Sequence, residues 1–146
     1  MFEISFTEEP AFNWEGNGAL HRWGFTVLGM HAERFAAPLY YWAESDYEEQ
    51  WRQGAERLVG GADSSCLVTW MHDPVDDQLA QWWELYRLGD TVAIHERLWV
   101  PDSGPLDPGK IYDLVGPYLR GDEDGGQKVS EWRLPLDAFA DYLARR

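Results

Sequence analysis

The sequence predicts an α+β fold: a mostly antiparallel sheet packed against one long helix, at about residues 46–59, and a short C-terminal helix. Three observations carry this. Short runs rich in Trp, Phe, Tyr, Val, Ile and Leu recur between Gly-containing turns, the pattern of strands joined in hairpins. One central stretch changes to helical period, with Tyr47, Trp51, Ala55 and Leu58 on a single stripe and Glu48, Glu49, Arg52, Gln53 and Glu56 on other faces. The chain of 146 residues is 45% apolar and 26% charged. A chain of that length buries roughly 68–70% of its unfolded surface and needs neither metal nor disulfide to hold a core. Residues 1–146 read as one domain, without internal repeat or dividing linker.

Residues 3–6 open the chain as a short strand, followed by the Gly-rich turn Glu15-Gly16-Asn17-Gly18. Residues 22–28 and 34–42 read as two strands joined across Gly29-Met30-His31. Ser45-Asp46-Tyr47-Glu48 has the form of a capping box, with the Ser hydroxyl on the N3 amide and Glu48 reaching back. Gly60-Gly61 stops that helix. Cys66-Leu67-Val68-Thr69-Trp70-Met71 is nearly continuous in apolar character, as in a central strand covered on both faces, and Asp73-Pro74 ends it.

Residues 81–88 and 91–100 flank Gly89-Asp90, a two-residue hairpin turn. That turn sets the register: Leu88 faces Thr91, Tyr86 faces Ala93, Glu84 faces His95 and Trp82 faces Arg97. One face of the hairpin carries Trp83, Leu85, Val92, Ile94 and Leu98, a core layer. The other carries Trp82, Glu84, Tyr86, His95, Arg97 and Trp99. A face of that mixed character is either covered by another element or binds something. Residues 101–127 are rich in Pro, Gly and Asp, with one helical turn near 112–114. A last strand at 129–134 and a helix at 137–144, packed through Phe139, Tyr142 and Leu143, close the chain.

The charge is unusual: 26 acidic residues stand against 12 basic ones, a net −14. A direct nucleic-acid binder needs clustered Lys and Arg to neutralise phosphates, and an anionic membrane surface attracts the same residues, so neither partner is expected. An acidic surface instead steers cationic partners. The lone Cys66 has no disulfide partner. Met1 to Glu9 lacks the basic and apolar regions of a signal peptide, and no stretch nears the ~18 apolar residues of a membrane span, so the expected compartment is the cytoplasm.

Chemistry-bearing constellations are sparse. His21, His31, His72, His95 and Cys66 have no metal-ligand spacing, so no metal or cofactor is expected. Cys66 sits in an apolar strand, where the thiolate is disfavoured. No Gly-x-Ser-x-Gly elbow or phosphate-cradling glycine loop occurs, and no catalytic residue is assigned. The Glu84/His95 and Trp82/Arg97 pairs read first as mutual satisfaction across strands, worth roughly 0.2–1 kcal/mol each. A Trp82/Tyr86/Trp99 face among many carboxylates leaves a second reading, a carbohydrate-binding or small glycoside-processing domain. The acidic stretches around Asp73, Asp76 and Asp77 and around Asp122, Glu123 and Asp124 read as exposed turns suited to a basic partner surface.

Several blocks together resemble a known bacterial family. They are Tyr40-Tyr41-Trp42, the run from Tyr47-Glu48-Glu49-Gln50-Trp51-Arg52-Gln53-Gly54 to Ala55-Glu56-Arg57-Leu58, then Ser65-Cys66-Leu67-Val68, Asp73-Pro74, Trp82-Trp83-Glu84-Leu85-Tyr86-Arg87 and Val129-Ser130-Glu131-Trp132-Arg133-Leu134. Their order and spacing over residues 38–143 resemble the immunity proteins of contact-dependent growth inhibition and related polymorphic-toxin systems. The resemblance implies a non-enzymatic cytoplasmic protein that binds the C-terminal toxin domain delivered by sibling cells. Such toxin domains are often nucleases with basic clefts. The blocks are mostly aromatic and apolar, so they build the fold, and the toxin contacts are expected between them. The candidates are Asp73, Asp76, Asp77, Glu84, Asp122, Glu123 and Asp124, with Trp82 or Trp99 as aromatic anchors.

Overall fold

A computed structural model describes residues 1–13, 20–71, 79–99, 106–118 and 130–146. It has the expected α+β composition, with its strands divided between two antiparallel sheets. The first is built on β3 (Leu20–Leu28). Along one edge β3 pairs with β1 (Phe2–Phe6) and β2 (Phe12–Asn13), and along the other with β4 (His31–Pro38). The β3–β4 turn is Gly29-Met30, where Gly29 takes φ +67°, a conformation that favours glycine. The second sheet has the order β5 (Ser64–Met71), β6 (Ala80–Leu88), β7 (Thr91–Trp99), β8 (Trp132–Pro135). All four expected pairs of the β6–β7 hairpin occur in the register read from the sequence.

The long helix α1 runs Glu44–Val59, starting two residues before the expected 46. Its start is fixed by Asp46, whose carboxylate accepts from the Ala43 backbone N–H at 2.8 Å, and not by Ser45 and Glu48. The short helix α2 runs Leu136–Ala144 and lays Phe139 and Tyr142 on Phe2, with ring centroids 4.4 and 5.1 Å away. Arg145 and Arg146 then donate to the carbonyls of Phe2 and Ile4, clasping the two ends of the chain together. A 3-10 segment, Pro108–Leu114, supplies the helical turn expected near 112–114.

β5 departs from expectation: its apolar run is an edge strand of the second sheet, not a central one. Its free edge is closed by side chains of α1. Gln50 stands in for a neighbouring strand, donating to Cys66 O at 2.8 Å and accepting from Val68 N at 2.7 Å. Trp51 Nε1 donates to Val68 O, and the Tyr47 hydroxyl accepts from Met71 N while donating to Pro38 O. The backbone groups that would otherwise be unpaired are satisfied. Phe2, Ile4, Trp51, Leu58, Leu67, Leu85, Ile94 and Phe139 belong to one continuous buried core. Leu98, expected in that layer, is 61% exposed because the far end of the hairpin runs past it.

Candidate functional site

The mixed face of the β6–β7 hairpin is covered. Trp82, Glu84, Tyr86 and His95 are all buried, beneath chain 106–118, which contributes the buried Leu106 and Ile111 and lays the Tyr118 ring 5.3 Å from Tyr86. Glu84 accepts from the Tyr86 hydroxyl at 2.5 Å and from Trp82 Nε1 at 3.2 Å, and Arg97 Nε lies 3.6 Å away. His95 therefore does not depend on Glu84. Its Nε2 is 2.9 Å from Glu131, which also accepts from the Tyr118 hydroxyl at 2.8 Å and Arg133 Nε at 2.8 Å. Trp82 stacks on Trp99, 6.4 Å between centroids, in place of the expected Arg97.

Burial pushes the Tyr86 phenol up, and the Glu84 carboxylate adds to that, so Tyr86 remains a neutral donor. Burial alone would also raise Glu131, but hydrogen bonds from His95, Arg133 and Tyr118 outweigh it and hold its carboxyl below the usual range. Burial pushes the Cys66 thiol far up as well, as expected for an inert cysteine. This network pins chain 106–118 to the sheet. It leaves no open aromatic face on Trp82 and Tyr86 for a sugar to stack on.

Of the predicted contact residues, Trp82 and Glu84 are enclosed in this structure, at 0% and 1% exposure, and support the sheet. Trp99 is half-buried at the end of β7. Asp73, Asp76, Asp77, Asp122, Glu123 and Asp124 lie outside the described residues, as does the Asp73-Pro74 strand end.

An open cleft of about 280 Å³ lies between the two sheets. It is lined by Trp23, Glu33, Arg34 and Phe35 of the first sheet and by Trp70, Gln81, Trp83 and Glu96 of the second. Glu33 from β4 and Glu96 from β7 both line it, near enough for one carboxylate to act on the other. Burial and then the Glu33 carboxylate raise Glu96 above the usual carboxylate range. Gln81 Nε2 donates to Glu96 at 2.8 Å, and His31 Nε2 lies 2.7 Å from Glu33. Arg34 is engaged elsewhere: it pairs with Glu9 at 2.8 Å and lies over Trp23 at 4.5 Å. Sequence reasoning passed over this cleft. Its one local sign was Glu96 and Gln81 on the apolar side of the hairpin, where Trp83 faces Glu96 across the strands.

Among the described residues no group of three or more His, Cys, Asp or Glu is placed to hold a metal ion, and no helix is long and apolar enough to cross a membrane. The immunity protein CdiI of Enterobacter cloacae subsp. cloacae is 24% identical to this chain over 143 residues, 97% of this chain and 96% of that protein. The fold matches a chain of the CdiA-CT/CdiI toxin and immunity complex from Enterobacter cloacae with a TM-score of 0.86 at 23% identity, covering 99% of this chain and 97% of that one. The model of the CdiI N-terminal domain family matches residues 37–142, which embraces all of the blocks read from the sequence, and the chain belongs to that family.

Proposed function

We propose that this protein is an immunity protein of contact-dependent growth inhibition. It binds its cognate toxin domain in the cytoplasm and neutralises it by occupancy, without transforming a substrate. The observation that carries this reading is the family match across residues 37–142. The charge of −14 supports a basic toxin surface, of the kind a nuclease presents to its nucleic acid. Carboxylates placed over such a surface compete with phosphates, and a few aromatic side chains supply the tight contact. The burial of Trp82 and Tyr86 removes the ground for the carbohydrate reading.

The test is neutralisation. The toxin domain encoded beside this gene, induced in a host that lacks immunity, arrests growth, and co-expression of this chain restores it. In a purified assay, an equimolar amount of this chain abolishes the toxin's cleavage of nucleic acid. Growth arrest that persists with the folded protein present counts against the immunity reading. Neutralisation of a toxin that cleaves no nucleic acid overturns only the nuclease assignment.

A further inference from the structure

We infer that the cleft between the two sheets receives a single cationic side chain, Lys or Arg, of the toxin, held between the Glu33–Glu96 pair and the indole walls. This deepens the immunity reading and rests on it. The size of the cleft sets the class of occupant. Pockets for small-molecule ligands run about 300–1,000 Å³, and a cleft of about 280 Å³, at the small end of that span, has room for one long side chain. Its walls set the chemistry. Trp23, Trp70 and Trp83 border it, and indole faces attract guanidinium and ammonium groups most strongly when water is excluded.

The two carboxylates that line the cleft set the charge. Folding brings two carboxylates from opposite sheets to line one cleft, although neighbouring like charges disfavour each other. Among the described residues no Lys or Arg is bonded to either one. His31 is on Glu33, Gln81 is on Glu96, and Arg34 at the rim is taken by Glu9 and Trp23. Two neighbouring carboxylates with neither Lys nor Arg between them are a local cost only partly offset by His31 and Gln81, and such costs concentrate where function is served. An arriving cation provides the compensation: it donates to both carboxylates and lies against the indole walls.

The experiment compares E33Q, E96Q and the double variant with wild type, using the purified toxin domain encoded beside this gene as the probe. Gln keeps the shape and removes the charge, so folding is retained and thermal stability at neutral pH is equal or higher. Dissociation of the toxin accelerates, with affinity falling by about 10- to 100-fold for each single variant. Alanine substitution of each toxin Lys and Arg in turn identifies one whose effect disappears in the E96Q background. A purely structural pair would give lower stability with unchanged affinity. Wild-type affinity in all three variants, or additive effects with every toxin cation, overturns the cleft assignment while leaving immunity intact. Absence of any binding by wild type overturns both.

Discussion

Glu84 and Glu131 show how position converts one residue type into different chemistry. Glu84 is sealed under chain 106–118 with Tyr86 and Trp82 as donors, a support whose loss would leave two buried donors unpaired, at about 1–3 kcal/mol each. Glu131 is nearer the surface and binds His95, Tyr118 and Arg133 at once. Its carboxyl is held below the ordinary range, so the stability it contributes is present above that range and is lost as pH falls through its lowered folded value. Glu131→Gln therefore destabilises the fold at pH 7, by about 1.5–3 kcal/mol for the charged hydrogen bonds lost. The gap to wild type narrows toward pH 4, and denaturant titrations at both pH values measure it. An equal gap at the two values would mean that the ionised form of Glu131 holds nothing.

At the scale of elements, α1 sits unusually close to β5, and Gly54 is the reason. A Cβ at that position would lie 2.4 Å from Cys66 O and 2.8 Å from Leu67 Cδ2. In an exposed helix, replacing Gly with Ala stabilises by up to about 1 kcal/mol. Here Gly54→Ala reverses that sign and costs about 1–3 kcal/mol, since the helix must retreat from the strand and loosen the Gln50 bonds. Thermal unfolding reads the sign directly, and a higher melting temperature would refute the close-approach argument. The same region shows where sequence reasoning reaches and where it stops. The β6–β7 register was legible because a two-residue turn leaves no freedom. The place of β5 at an edge was not, because a continuous apolar run shows only that both faces are buried. It does not show whether a strand or a helix lies alongside. The division of the strands into two sheets, and the placing of Glu33 near Glu96 across them, depend on long-range packing that no local spacing encodes. Only the resemblance of ordered blocks carried the family.

The whole molecule combines a continuous apolar core with a strongly negative exterior. That charge acts on encounter more than on the fold. Reversing Asp76, Asp77, Asp122 and Asp124 to Lys together removes more than half of the net charge of −14. Association with the toxin domain slows by about 10-fold or more at low ionic strength, and the rate becomes less sensitive to added salt. Stopped-flow mixing across a salt series checks this. An unchanged rate would place the contact energy in the aromatic and cleft residues alone.

A bare apolar margin on β5 would be a template onto which another copy could dock, and from there a route to fibres. Gln50, Tyr47 and Trp51 occupy that margin with the protein's own hydrogen bonds. With that margin closed from within, a second copy finds no unpaired backbone there to extend the sheet.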